Sequence, residues 1–254
     1  MVERLITVRD LDKAYAPKSF FQSKGEAKYA NRGIDLEIYQ GEVLGLVGES
    51  GSGKSTLGRL LLGFERPSSG QITYFPDQEG RQADFRPQIV FQNNYAALNP
   101  QLSVLDIVAE PLLRKQSKAA AREQAADYLD QVGIPSDKWT HRPRSFSGGQ
   151  LQRINIARAL ADQPNFMVLD EPVSALDVSV QASIINLLMD LQEAKQLTYL
   201  FITHDLSIAR VISDRIAVMK EGQLVEIQET EALFAHPQAD YTRDLLAAIP
   251  SLKL

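Results

Sequence analysis

The 254-residue chain contains no cysteine. That excludes a disulfide framework, a thiolate nucleophile and a Cys-ligated zinc or iron–sulfur centre, and it fits the cytosol. No apolar run approaches the roughly 20 residues a helix needs to span a bilayer, so any link to a membrane is expected to run through a partner. The opening stretch MVERLITVRD carries charges at positions 3, 4, 9 and 10 and lacks a long apolar core, which is not the pattern of a signal peptide. Basic excess is missing too. The net charge is −5 with both signs interspersed, which argues against a nucleic-acid binder that relies on a basic face. Internal repeats and low-complexity tracts are also absent. What remains is 44% hydrophobic and 23% charged, an ordinary globular make-up on a chain long enough to bury a core unaided.

Short or alternating apolar runs predict eight strands, at 5–8, 34–38, 43–48, 88–91, 166–170, 199–203, 215–219 and 223–227. The turn Lys220–Gly222 suits a hairpin joining the last two. Val180, Ile184, Leu187, Leu188 and Leu191 recur at helical spacing, the stripe of a helix packed on a sheet. Ser117 is placed to cap another helix, whose Ala121, Ala125, Leu129 and Val132 line one face before Gly133 ends it. No strand pattern interrupts this region, so a helical lobe inserted into an α/β sheet domain is expected.

The stretch VLGLVGESGSGKST supplies a strand, a glycine-rich loop and a helix in that order. Gly48, Gly53, Lys54 and Ser55 match G-x-x-x-x-G-K-[ST] without a gap. Between them, Glu49, Ser50, Gly51 and Ser52 complete a loop whose backbone N–H groups can curl around a phosphate, where a side chain would block the approach. The helix beginning at Thr56 turns its positive end toward that anion. Lys54 is then placed for the β- and γ-phosphates and Ser55 for Mg²⁺. FMVLDEP is the natural companion. Four apolar residues deliver Asp170 to a strand end, where its carboxylate can hold Mg²⁺. Glu171 beside it can polarise an attacking water as general base, a role worth about 10²–10⁴ in rate.

SFSGGQLQR, residues 145–153, reads as half of a second phosphate site. Ser147 and two glycines precede a helix-forming run, yet no lysine follows to meet the charge. By itself the stretch reads equally as an ordinary serine-capped helix.

The phosphate loop, SGGQ, LDEP, SALD and THD occur in an order and spacing that resemble those of ATP-binding-cassette (ABC) ATPases, over nearly the whole chain. No N-K-x-D guanine-reading motif is present, which disfavours a GTPase. The resemblance implies an α/β P-loop NTPase fold of ABC type, with an N-terminal antiparallel β subdomain and an inserted α-helical subdomain. It implies one ABC ATPase domain over 1–254: a core of 1–92 and 146–230, a helical signature subdomain of 93–145, and a short helical tail of 231–254. It also accounts for the half site. Ser147, Gly148, Gly149 and Gln150 are implied to meet ATP held by the phosphate loop of a facing subunit, so a head-to-tail dimer completes two sites. Gln92 is implied to sense Mg²⁺ and the attacking water, His204 to contact the γ-phosphate, and Asp177 to couple the two sites. Tyr15 fits the aromatic that stacks on adenine, with Tyr29 as its competitor. Phe146 stands where the signature often has leucine, and Asn93 where an acidic residue is frequent; no catalytic position is lost.

Three longer stretches, 93–112, 170–188 and 239–250, look like the oligopeptide/dipeptide/nickel importers, most of all their second ATPase subunit. The implied partners are a paralogous ATPase or a second copy of this chain, two transmembrane permease subunits and an extracytoplasmic substrate-binding protein, with no nucleic acid. ATP and Mg²⁺ are the implied cofactors, and the inner face of the cell membrane the implied location. The face around Leu102–Glu110 is the expected permease dock. Accessory ATPases of carbon–phosphorus lyase systems also look similar, and would couple the same switch to soluble enzymes.

Overall fold

A computed structural model describes residues 3–15, 28–74, 85–91 and 97–249 of the chain. In chain order these form β1 (Arg4–Tyr15), β2 (Lys28–Tyr39), β3 (Val43–Val47), α1 (Lys54–Leu61), β4 (Ser69–Tyr74) and β5 (Pro87–Val90). Helices α2 (Val104–Ala109), α3 (Lys118–Gln131) and α4 (Gly148–Ala161) follow. Next come β6 (Phe166–Asp170), α5 (Val178–Lys195), β7 (Thr198–Thr203) and α6 (Leu206–Ile212). The run continues with β8 (Arg215–Lys220), β9 (Gln223–Glu229), α7 (Thr230–Ala235) and α8 (Asp240–Ala247). Two compact units result: Met1–Asp84 with Thr198–Leu254, and Phe85–Leu197.

In the first unit β1 pairs antiparallel with β2 on one side and β4 on the other. Leu5 to Val8 of β1 are all buried, while in β2 Ile34, Leu36 and Ile38 are the inward half of a period-2 alternation. The register slips between Val8 and Leu11, where Asp10 turns to φ +43° and its N–H is met by the Asp35 carboxylate at 3.1 Å. A second sheet centres on β3, flanked in parallel by β7 and β8, with β9 antiparallel on β8. All of β3 and β7 is buried, as strands covered on both faces require. Glu221 and Gly222 have φ +47° and +84° and form a two-residue hairpin turn of the kind that follows strand twist. The hairpin expected at Lys220–Gly222 is therefore present.

In the second unit β5 and β6 pair in parallel, from Pro87 opposite Phe166 to Val90 opposite Leu169. Ser117 caps α3, and Ala121, Ala125, Leu129 and Val132 are wholly buried before Gly133 takes φ +73°, as the spacing predicts. Among the described residues of 97–145 there is no strand. On α5 the buried residues are Ile184, Ile185, Leu188 and Leu191, with Val180 and Leu187 half-buried. Arg153 of α4 donates to the Val132 carbonyl at 2.6 Å and to Ser183 Oγ at 2.8 Å, joining the end of α3 to α5.

Candidate active site

β3 delivers the chain into the glycine-rich loop, and contacts on the outside of the loop fix its path. A β-carbon on Gly48 would lie 2.1 Å from the Met219 carbonyl oxygen, and one on Gly53 2.1 Å from that of Ala30. With φ +152° and +105°, neither position accepts a side chain. Gly222 N–H donates to the Ser52 carbonyl at 2.9 Å, and Asn31 Nδ2 to that of Gly53 at 3.2 Å. Gly51, by contrast, has no described atom within 4 Å of where its β-carbon would sit. The loop is thus braced on one side and open at its tip.

Lys54 begins α1, whose N-cap Gly53 brings no side-chain cap, and the positive end of a helix favours an anion. The lysine ammonium is buried and donates to the carbonyls of Gly48 at 2.7 Å and Glu49 at 2.8 Å, and to Ser52 Oγ at 3.4 Å. A buried ammonium needs such partners. Carbonyl oxygens satisfy its protons without cancelling its charge, which leaves the loop electropositive.

Tyr15 ends β1 with its ring partly exposed and its hydroxyl donating to Glu65 Oε2 at 2.6 Å. Glu65 also pairs with Lys13 at 3.1 Å and Arg59 at 3.5 Å. Burial and the Glu65 carboxylate push the Tyr15 hydroxyl above its ordinary value, against an opposing hydrogen bond from Thr56 in the first turn of α1. Tyr29 lies opposite Ala14 and is also exposed, with the Arg32 guanidinium 5.5 Å from its ring centroid. Only Tyr15 of the two is tied to α1. His204 follows β7 and is exposed, while Asp205 next to it caps α6 through the N–H groups of Ser207 at 2.8 Å and Ile208 at 3.3 Å.

The second unit holds the other expected residues. Four buried residues of β6 lead to half-buried Asp170. Glu171 then takes φ +48°, a left-handed conformation costing a non-glycine residue about 1–3 kcal/mol. The Glu171 carbonyl accepts from Ser174 N–H at 3.4 Å and Ser174 Oγ at 3.2 Å, which closes the turn that holds it.

Ser147 caps α4 in a capping box. Its Oγ accepts the Gln150 N–H at 3.4 Å, and its own N–H donates to Gln150 Oε1 at 3.2 Å. The serine cap does not exclude an anion-binding role, since a hydroxyl that accepts in the cap keeps its hydrogen to donate. Ser147 and Gly148 are exposed and Gly149 is buried. A β-carbon on Gly148 would meet Leu176 Cδ2 at 3.3 Å, and one on Gly149 would meet Val180 Cγ1 at 2.4 Å. The signature thus packs against the residues on either side of Asp177, the N-cap of α5. Gln92 and Asn93 lie outside the described residues.

A family profile described as ABC transporter matches residues 31–174. The chain belongs to that family. This ABC protein is 46% identical over 255 residues to the probable D,D-dipeptide transport ATP-binding protein DdpF of Escherichia coli K12, covering 99% of this chain and 81% of that one. It is 42% identical over 261 residues to the oligopeptide transport ATP-binding protein OppF of Bacillus subtilis 168, covering 98% and 84%. Among solved structures it resembles the ATP-binding cassette MJ0796, a dimer in a post-hydrolysis state bound to ADP and Pi. The TM-score is 0.73 at 29% identity, covering 89% of this chain and 99% of that one. It also resembles cbiO1 of Clostridium perfringens, part of the ABC transporter complex cbiONQ, with TM-score 0.77 at 26% identity, covering 98% and 96%. The α/β nucleotide-binding fold and the ABC ATPase class follow from these matches. Among the described residues no helix is long and apolar enough to cross a membrane.

Motif reading passes over the groups that brace the loop: Asn31, Gly222 and, in the tail, Tyr241, whose hydroxyl accepts the Glu49 N–H at 3.4 Å. Nothing in their sequence neighbourhoods signals that contact. It comes from packing between elements far apart in the chain.

Proposed function

We propose that this ABC protein binds and hydrolyses ATP to energise a peptide importer. The carrying observation is its two unlike helix starts, one with a buried ammonium and one without. The Gly48–Ser55 loop has the donors and the charge to hold a triphosphate by itself. Ser147, Gly148, Gly149 and Gln150 have donors but no cation, so they suit the γ-phosphate of ATP already held by a facing subunit. A head-to-tail dimer would give each site both halves, and the solved MJ0796 dimer bound to ADP and Pi supports a dimer as the working form.

In this reading Lys54 and the loop N–H groups take the β- and γ-phosphates, and Tyr15 stacks on adenine. Ser55, Asp170 and Gln92 offer the hard oxygen donors that Mg²⁺ prefers, and would hold it together with substrate oxygens. When bound, the ion neutralises charge on the transferring phosphoryl group. Glu171 accepts a proton from the attacking water as the water oxygen bonds to the γ-phosphorus and the ADP oxygen leaves. His204 contacts the γ-phosphate, and Asp177 relays the state of one site to the other. Because the signature meets ATP only in the closed dimer, ATP favours closure.

Near full-length identity to DdpF and OppF supports peptides as the cargo. The partners would be a second ATPase, paralogous or identical, two permeases docked on the helical region 93–145 near Leu102–Glu110, and an extracytoplasmic binding protein. The chain would then sit on the cytoplasmic face of the membrane. The test is to purify a tagged Glu171→Gln chain with ATP from native membranes in mild detergent. Two multispanning permeases and a cassette ATPase should co-purify. An eluate of soluble enzymes alone, as a carbon–phosphorus lyase accessory would give, sinks the transport reading.

A further inference from the structure

Within the first unit α8 and the residues just after it pack, through Leu245, Leu246 and Ile249, on a core that includes Val47 and Leu233. The approach to the helix is held by Glu226, whose carboxylate accepts the N–H groups of Gln238 at 2.8 Å and Ala239 at 3.0 Å. This docking places Tyr241 against the phosphate loop. Its hydroxyl oxygen accepts the Glu49 N–H at 3.4 Å, and the Lys220 ammonium lies 4.6 Å from its ring centroid. Lys220 in turn precedes the hairpin turn whose Gly222 N–H holds the Ser52 carbonyl.

These contacts converge on one peptide bond. The Gly48–Glu49 unit has its N–H held by Tyr241 and its carbonyl held by Lys54 Nζ at 2.7 Å. A peptide unit is planar, so rotating the N–H away from Tyr241 also rotates the carbonyl that orients the lysine. We infer that Tyr241 is a positioning residue for nucleotide: through the Gly48–Glu49 peptide, the C-terminal helix sets where the Lys54 ammonium sits. The inference rests on the proposed phosphate role of Lys54. It makes the tail part of the nucleotide site through the loop that it braces.

The experiment measures Mg²⁺-dependent binding of a fluorescent ATP analogue to the full-length chain, with a melting curve for each variant. Tyr241→Phe keeps the ring and its packing but removes the acceptor. It should weaken binding about three- to tenfold, the scale of one lost hydrogen bond, with an unchanged melting temperature. Leu245→Ala, which loosens the seat of α8 without touching that hydroxyl, should lower the melting temperature and also weaken binding, because the docking of the helix is what places Tyr241. In the assembled ATPase the Tyr241→Phe effect should fall on KM for ATP rather than on kcat. Wild-type affinity in Tyr241→Phe overturns the inference, as does a Tyr241→Phe affinity loss that comes with a lowered melting temperature. Lys54→Ala separates the two claims: if it binds as tightly as wild type, the phosphate-site reading fails instead.

Discussion

A β-carbon on Gly149 would lie 2.4 Å from Cγ1 of Val180, so the signature helix and the helix after Asp177 can approach only because Gly149 has no side chain. Intrinsic propensity pulls the other way, since alanine in a helix is favoured over glycine by about 1 kcal/mol. Gly149→Ala is therefore a poor test of stability and a good one of fit. The variant should lower ATPase turnover of the assembled complex at least tenfold, and adding Val180→Ala should restore much of it. Steady-state turnover of the single and double variants decides this. A Gly149→Ala chain at wild-type turnover would contradict it.

Replacing Gly53 should do more damage. Its β-carbon would meet the Ala30 carbonyl oxygen at 2.1 Å, and its φ of +105° is strained for any side chain. Gly53→Ala should lose at least about 1–3 kcal/mol of stability as well as nucleotide affinity. Denaturant unfolding beside a binding titration measures both. Lys54→Ala should bind nucleotide far more weakly at a stability closer to wild type.

Glu171→Gln should retain ATP binding while turnover falls by about 10²-fold or more, because an amide cannot accept the proton of the attacking water. Single-turnover hydrolysis by the assembled complex is the measurement. Near wild-type turnover would remove Glu171 from the role of base.

Glu226 gives a pH dependence. Burial alone would raise its carboxyl, but the hydrogen bonds it accepts, led by the Gln238 N–H, together outweigh that and hold it below the ordinary carboxylate range. A depressed folded pKa stabilises the fold above the unfolded value, about 4.3 for glutamate, and that contribution is lost as pH falls through the folded value. Glu226→Gln should cost about 1–2 kcal/mol near neutral pH and flatten the loss of stability on acidification. Unfolding curves at neutral pH and at pH values through and below the carboxylate range test it. An unchanged acid slope would refute the assignment.

All eight strands expected from apolar patterning have counterparts, because β3, β6 and β7 are buried on both faces and so read as continuous apolar runs. The pattern at 5–8 stops short of the observed Arg4–Tyr15 because later β1 residues are polar and the register slips at Asp10. β4, SGQITY, is not signalled. It is an edge strand with exposed or half-buried side chains, and pairing with β1 rather than a buried face defines it. Lys54 is legible because its chemistry is local, a loop and the helix after it. The strained Glu171 backbone and the Tyr241 brace are not local. Each depends on packing that no short stretch encodes.

The most direct measurement is ATP-dependent uptake of labelled di- and oligopeptides into proteoliposomes. These would hold the complex that co-purifies with this chain and its binding protein. Uptake should require ATP, and should vanish in parallel with ATPase turnover when this chain carries Lys54→Ala. ATP hydrolysis without uptake of any peptide, or uptake unchanged by Lys54→Ala, would contradict a peptide importer driven by this chain.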